Sequence, residues 1–250
     1  MTVSPQPPAA RIAAGPQAQA IDRDLQRFLR GVLAKVAGGL ALAGGVGHLI
    51  ASTPGLRELF FHLREDGAHD PIGLTGPGLI VVISPIVALA VLGGGAPSRR
   101  RSTLLFWSVA AAMGGSFGAV LLAMTGISVA TAFAGAAAGF GALALYGYST
   151  QRDLGGWGAF LTAGVVGLLA ALVLNLFLAS PALTFALNAI GVFVFAGLIA
   201  YDMQRLKLIH SQARAKGQDL EVASNNGALL LFLDFANLFQ FLLAFMGARR

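Results

Sequence analysis

The chain has 250 residues, of which 56% are hydrophobic and 11% charged, with a mean hydropathy of +0.74. Soluble domains carry about 25% charged residues, so a water-soluble globule is excluded, and a disordered chain, which needs low hydrophobicity and high net charge, is excluded with it. The formal net charge of +6 is scattered between apolar blocks rather than gathered on one soluble face, which argues against nucleic acid as a partner and for the lipid bilayer. With no cysteine, disulfides, thiolate nucleophiles and Cys-ligated zinc are out. Richness in Ala, Gly and Arg suits a bacterial source, and therefore the plasma (inner) membrane.

Residues 1–30 are polar and rich in Pro, Gln and Ala, and read as a flexible cytoplasmic tail ending in a short amphipathic approach, Ile21 to Phe28. No basic stretch followed by an apolar core opens the chain, as a cleavable signal peptide requires. From residue 31 to 250 a membrane domain follows, in which apolar stretches of about 20 residues recur, the length a helix needs to cross hydrocarbon. The predicted spans are Gly31–Ala51, Gly78–Gly95, Ser102–Met124, Ile127–Tyr148, Trp157–Ala179, Ala182–Tyr201 and Gly227–Met246. The second is short, holds a kinking Pro85 and ends on three glycines. The fold class is thus an all-α integral membrane protein of seven helices. Thr125-Gly126 and Ser180-Pro181 are connections tight enough to demand antiparallel neighbours.

With the amino terminus inside, twelve basic residues fall in cytoplasmic segments and four in outer ones (Arg57, Arg64, Arg249 and Arg250), the bias that sets orientation. Trp107, Trp157, Tyr146, Tyr148 and Tyr201 sit near the cytoplasmic ends, as interfacial aromatics do. The carboxyl terminus then faces out, unless a shallow seventh helix re-enters. Gly39, Ala43 and Gly47, and likewise Gly135 and Gly139, repeat every fourth residue, a pattern for close helix contact within the chain. Lys35 reads as a snorkelling residue, and His48 as an interfacial one. The outer loop Arg57–Thr75 gathers His62, Glu65, Asp66, His69 and Asp70, which read as solvation of a loop rather than a metal site.

Only two acidic residues lie outside the tail and loops: Asp202, at the cytoplasmic end of the sixth span, and Asp234, about two turns into the seventh. An ionisable group in a bilayer is costly and marks function by default. The two sit at similar depth on consecutive antiparallel helices. Asn188, Gly191, Phe195, Leu198 and Asp202 share one helix face, and so do Asp234, Asn237, Phe241 and Ala244. Each aspartate therefore heads a stripe carrying one supporting amide, Asn188 or Asn237. For Asp202 the bland alternative is a boundary residue beside Arg205.

Ile190 to Gln204, including Tyr201-Asp202-Met203-Gln204, resembles the sixth span of the Bax inhibitor-1 family, the transmembrane Bax-inhibitor-motif proteins. Leu231-Phe232-Leu233-Asp234-Phe235-Ala236-Asn237-Leu238-Phe239 is similar to the family's seventh span, and Tyr146 to Leu154 to its loop after span four. Met203, Phe232 and Ala236 depart from the commoner threonine, tyrosine and isoleucine. The resemblance, which is closest to bacterial members, implies a bundle wrapped around a central seventh helix, with Asp202 and Asp234 as a pH-sensing pair. It further implies a pH-dependent calcium leak and, for the animal proteins, regulation of cell death. An arginine latching the pair is implied at the end of the second span; Arg99 is the nearest match, and Arg100 or Arg101 would serve as well. Gly78–Gly95 lacks the acidic residue that some members carry there, so an identical ion path is not implied.

Two carboxylates in contact cannot cheaply both ionise. Hard oxygens suit calcium, but two carboxylates are too few for a tight site; a passing ion fits, and no resident cofactor or metal is expected. The leading expectation is a pH-gated passive cation (calcium) channel and not an enzyme. The alternative is a non-conducting scaffold that regulates a membrane protease, another membrane protein or a stress response. Intramembrane aspartyl proteases share Tyr201-Asp202, but their second aspartate follows Gly-x-Gly where this chain has Leu231-Phe232-Leu233, and the Pro-Ala-Leu segment is missing.

Overall fold

The computed structural model describes residues 16–63, 71–79 and 98–246. In chain order these form α1 (Pro16–Ser52), a short α2 (Pro54–Phe60), the strands β1 (Phe61–Leu63) and β2 (Pro71–Leu74), then α3 (Arg99–Ala123), α4 (Gly126–Ser149), α5 (Gly155–Leu178), α6 (Pro181–Ala215) and α7 (Leu220–Met246). Among the described residues six helices, α1 and α3 to α7, are long and apolar enough to cross a membrane. They correspond to six of the seven predicted spans. The second, Gly78–Gly95 with Pro85, lies almost wholly outside the described residues, as do residues 1–15 of the tail, Arg249 and Arg250.

Helix starts follow local chemistry. Ser98, Thr125 and Ser180 cap α3, α4 and α6, their hydroxyls accepting from the backbone N–H of Arg101, Ser128 and Leu183. Pro181 occupies the first turn of α6, where its missing N–H costs nothing. Asn175 closes α5: its Oδ1 accepts from the Ser180 N–H at 3.2 Å, and its Nδ2 donates to Thr184 Oγ1 at 2.7 Å. The α3–α4 connection is as tight as predicted, yet the two helices diverge from it. Along their lengths α3 packs on α1 and α7, whereas α4 packs on α6 and α7.

Three helices overrun their predicted limits. The 37 residues of α1 extend about 55 Å and the 35 of α6 about 52 Å, well beyond a hydrocarbon layer of about 30 Å. The boundary placed at residue 30 thus falls inside α1, and Asp202 lies in mid-helix rather than at a helix end. The overhangs stay helical because they are joined to each other. Asp24 of α1 accepts from Arg214 of α6, and His210 Nε2 lies 3.2 Å from the same carboxylate. The His210 ring, buried, rests 5.0 Å from that of Phe28. Likewise α7 begins seven residues before Gly227, in a polar segment that reads as loop.

Half of the apolar window of α7 is buried, the largest share of the six. It packs against α1, α3, α4 and α6. Aromatic pairs hold it from three sides: Phe106 and Phe117 of α3 meet Phe232 and Phe239, Phe133 and Phe140 of α4 meet Phe235, and Phe195 of α6 stacks on Phe241. Pairs of this kind add roughly 0.5–1.5 kcal/mol each beyond their buried area.

The two small-residue stripes have different fates. Gly39, Ala43 and Gly47 lie against α3, where a Cβ at Gly114 would come within 2.8 Å of the Ala43 carbonyl and one at Gly47 within 3.0 Å of the Gly114 carbonyl. Gly135 and Gly139 have open space beside them and bring no helix of the described residues close. On the predicted outer side, the loop is more ordered than expected: β1 and β2 form an antiparallel hairpin pairing Phe61 with Leu74, and Phe61 packs on Ile50 and Leu122. His62 is exposed on β1, while Glu65, Asp66, His69 and Asp70 lie outside the described residues.

Candidate functional site

Helical periodicity brings the two predicted stripes together. On α6, Asn188, Gly191, Phe195, Leu198 and Asp202 are all buried. Gly191 is what lets α7 approach: a Cβ there would stand 2.5 Å from the Phe241 ring. Phe241 instead lies over the glycine and stacks on Phe195, with centroids 5.7 Å apart and planes 23° from parallel. Each aspartate lies seven residues, about two turns, from its own ring of that stack, so the pairing carries Asp202 and Asp234 to one level.

Both aspartates are 6% exposed, and their carboxyl groups lie within hydrogen-bonding reach of each other. An ionised carboxylate only accepts, so a hydrogen bond between two of them requires a proton on one. Asp234 Oδ2 is buried and, apart from Asp202, finds no partner among the described residues, so its hydrogen bonding rests on the pair itself.

Cavities lie on both sides of the pair. Towards the overhangs, a cavity of about 570 Å³ between α6 and α7 is lined by Arg205, Gln212, Lys216, Asp219, Asn226 and Leu230 among others, and it ends one turn from each aspartate. On the opposite side, beyond the Phe195–Phe241 stack, a cavity of about 280 Å³ lies between α5, α6 and α7. Asn188, Asn237 and Gln240 face it. The two supporting amides named from the sequence thus line one space. Asn237 also donates from Nδ2 to the Leu233 carbonyl at 2.8 Å.

Arg99 is exposed at the start of α3, and among the described residues no hydrogen bond or ion pair joins it to either aspartate. Arg205, one turn along α6 from Asp202, is exposed, and among the described residues no ion pair joins it to either aspartate. Arg100 is exposed beside Arg99, and Arg101 is half-buried.

Several residues that hold the site are not evident from the sequence. Gln204, two residues after Asp202, accepts at Oε1 from the Leu154 N–H (2.8 Å) and donates from Nε2 to the Arg152 carbonyl (2.7 Å). Lys207 donates to the Tyr148 carbonyl at 2.7 Å and lies 5.7 Å from that ring's centroid. The motif on α6 is therefore bonded to the motif after α4. Gly147 makes this closeness possible, since a Cβ there would come within 2.1 Å of the Ala200 carbonyl. At the start of α7, Lys35 of α1 pairs with Glu221 at 2.7 Å and donates to Ser224 Oγ at 2.9 Å. Asn225, buried, donates to Ser102 and Thr103 of α3 at 3.0 and 2.9 Å. The nearest sequence signal for these contacts is the polar run Gln218 to Asn226, which hydropathy alone does not mark as helical.

A family profile described as inhibitor of apoptosis-promoting Bax1 matches residues 25–250. An uncharacterized protein of Caulobacter vibrioides is 41% identical over 232 residues, 92% of this chain and 92% of its own length. The inner membrane protein YbhL of Escherichia coli K12 is 37% identical over 227 residues, 90% of this chain and 93% of its own. The protein RP147 of Rickettsia prowazekii is 38% identical over 233 residues, 92% of each chain.

Proposed function

This chain belongs to the Bax inhibitor-1 family, and from that premise we propose that it is a pH-sensitive passive cation conduit, leaking calcium across a bacterial inner membrane, with Asp202 and Asp234 as its sensor. The observation that carries the reading is the placement of the buried pair between two cavities, so that an ion passing along α7 meets both carboxylates. Gln240 and the amides of Asn188 and Asn237 continue the line of hard oxygens that calcium prefers.

On this reading Gly78–Gly95 supplies the seventh span, and the bundle closes around α7, whose burial and four helix neighbours support the arrangement. The amino terminus is cytoplasmic, in keeping with the basic residues carried by the α1 and α6 overhangs. Acid neutralises the pair and loosens α7 from α6, and the two cavities become continuous. The Phe195–Phe241 stack is the apolar gate between them. No step requires a resident metal or an enzymatic reaction.

The test is passive calcium flux from proteoliposomes holding only this protein, at neutral and acid pH. Flux that rises on acidification supports the conduit. Absence of flux at every pH, with a membrane protein co-purifying, supports the scaffold reading, which the open face at Gly135 and Gly139 favours.

A further inference from the structure

The α1 and α4 helices leave a groove between their halves nearest the overhangs. It has a volume of about 440 Å³, with Leu29 and Leu33 of α1 on one wall, Phe140 and Ala144 of α4 on the other and Met203 of α6 as floor. Its lining is apolar except at one end, where Gln26, Arg30 and Tyr148 lie. The groove spans about two turns of α1, roughly 10 Å along the helix axis, and grows more apolar towards the middle of the membrane-spanning segment.

Arg30 is exposed, and its Nη2 lies 3.5 Å from Gln26 Oε1, a long contact. Arg27 and Arg23, also exposed, stand one and two turns back at spacings of three and four, so the three arginines form one stripe leading to the groove. Among the described residues no ion pair joins a carboxylate to any of them, and Asp24, which lies between Arg23 and Arg27, is held by Arg214 and His210 of α6. Tyr148, at the same end of the groove, supplies an aromatic ring of the kind found at the headgroup level.

An apolar slot with cationic donors at one end fits a molecule of matching polarity. We propose that this groove binds an anionic glycerophospholipid of the cytoplasmic leaflet, one acyl chain lying against Leu29, Leu33, Phe140, Ala144 and Met203 and the headgroup phosphate on Arg30 and Arg27. Arginine suits the phosphate because its planar fork donates two parallel hydrogen bonds. Basic pockets between helices on the cytoplasmic side are where acidic headgroups are held. The site is separate from the aspartate pair and stands whether or not the protein conducts.

Gly141 lines the same groove, and open space surrounds the position a Cβ would take, so a leucine there fills the slot without disturbing helix contacts. The experiment is native mass spectrometry of the delipidated full-length protein titrated with phosphatidylglycerol, phosphatidylcholine or soluble glycerol phosphate, for wild type, Arg30→Gln and Gly141→Leu, with thermal melts as the folding control. The wild type should retain one phosphatidylglycerol in clear preference to phosphatidylcholine and no glycerol phosphate. Arg30→Gln should reduce that preference about fivefold, the effect of one basic residue near a membrane surface. Gly141→Leu should lose both lipids at unchanged melting temperature. Equal retention of the two lipids by the wild type, an unchanged preference in Arg30→Gln, or full lipid occupancy in Gly141→Leu would overturn the proposal. So would binding of glycerol phosphate as tight as that of the lipid, or a dimer that occupies the groove and is lost in Gly141→Leu.

Discussion

Lys35 in the first span and Glu221 in the first turn of the last helix meet at 2.7 Å, although 186 residues separate them. Their side chains are 20% and 34% exposed, so the pair is neither fully solvated nor fully buried. It anchors the start of α7 to α1, and Ser224 adds a second bond on the same ammonium. A double-mutant cycle with Lys35→Met and Glu221→Gln, read from thermal unfolding in detergent, should give a coupling of about 1 kcal/mol, at the upper end for exposed pairs. Strictly additive single changes would contradict the anchoring role.

Gln204 does for α6 what Lys35 does for α7. Its amide satisfies one backbone donor and one backbone acceptor in the connection between α4 and α5. Gln204→Leu leaves the Leu154 N–H and the Arg152 carbonyl without these partners and should destabilise by about 1–3 kcal/mol. Hydrogen exchange at the Leu154 amide should accelerate with it, whereas Gln204→Glu, which keeps the acceptor, should protect that amide. Unchanged exchange in Gln204→Leu would contradict the assignment.

The glycines separate into two classes that one experiment distinguishes. Gly147→Ala places a methyl group 2.1 Å from a backbone carbonyl that no rotamer can move, and should cost about 1–3 kcal/mol, as overpacked sites do. Gly135→Ala and Gly139→Ala enter open space, and should be neutral or stabilise by up to about 1 kcal/mol through helix propensity. Melting temperatures of the three single variants check both statements; equal losses at all three positions would refute the distinction.

Much of this architecture is legible in the sequence, and the exceptions have physical causes. Hydropathy located α3, α4 and α5 to within a few residues because both ends of each lie at a change of polarity. It stopped α6 at Tyr201 and started α7 at Gly227 because the overhangs are polar and draw their stability from partners distant in the chain: Asp24 for His210 and Arg214, Lys35 for Glu221. Asp202 and Asp234 were evident since a lone carboxylate among apolar residues needs an explanation, and their periodic neighbours predicted the facing stripes. Lys35 resembles a snorkelling residue in sequence because its partner Glu221 lies in a polar segment that hydropathy does not mark as helix. Identical spacing gives Gly39-Ala43-Gly47 a neighbour and Gly135-Gly139 none among the described residues; what differs is the opposing surface, Gly114 and Gly118 of α3, which no single stripe reveals.

Orientation can be tested directly because the chain has no cysteine. Single thiols introduced as Ser211→Cys, on the exposed overhang of α6, and Ser52→Cys, at the exposed end of α1, mark the two sides. A membrane-impermeant maleimide applied from outside should label Ser52→Cys in intact cells and Ser211→Cys only after permeabilisation. The reverse pattern would overturn the cytoplasmic amino terminus.

The central claim is that Asp202 and Asp234 together sense pH and govern the passage of cations along α7. Its most direct test is passive calcium efflux from proteoliposomes across pH, comparing the wild type with Asp202→Asn and Asp234→Asn. The wild-type rate should rise on acidification, and each variant, lacking one of the two titrating groups, should lose most of that dependence. If both variants keep the wild-type rate and the wild-type pH profile, the pair is not the sensor.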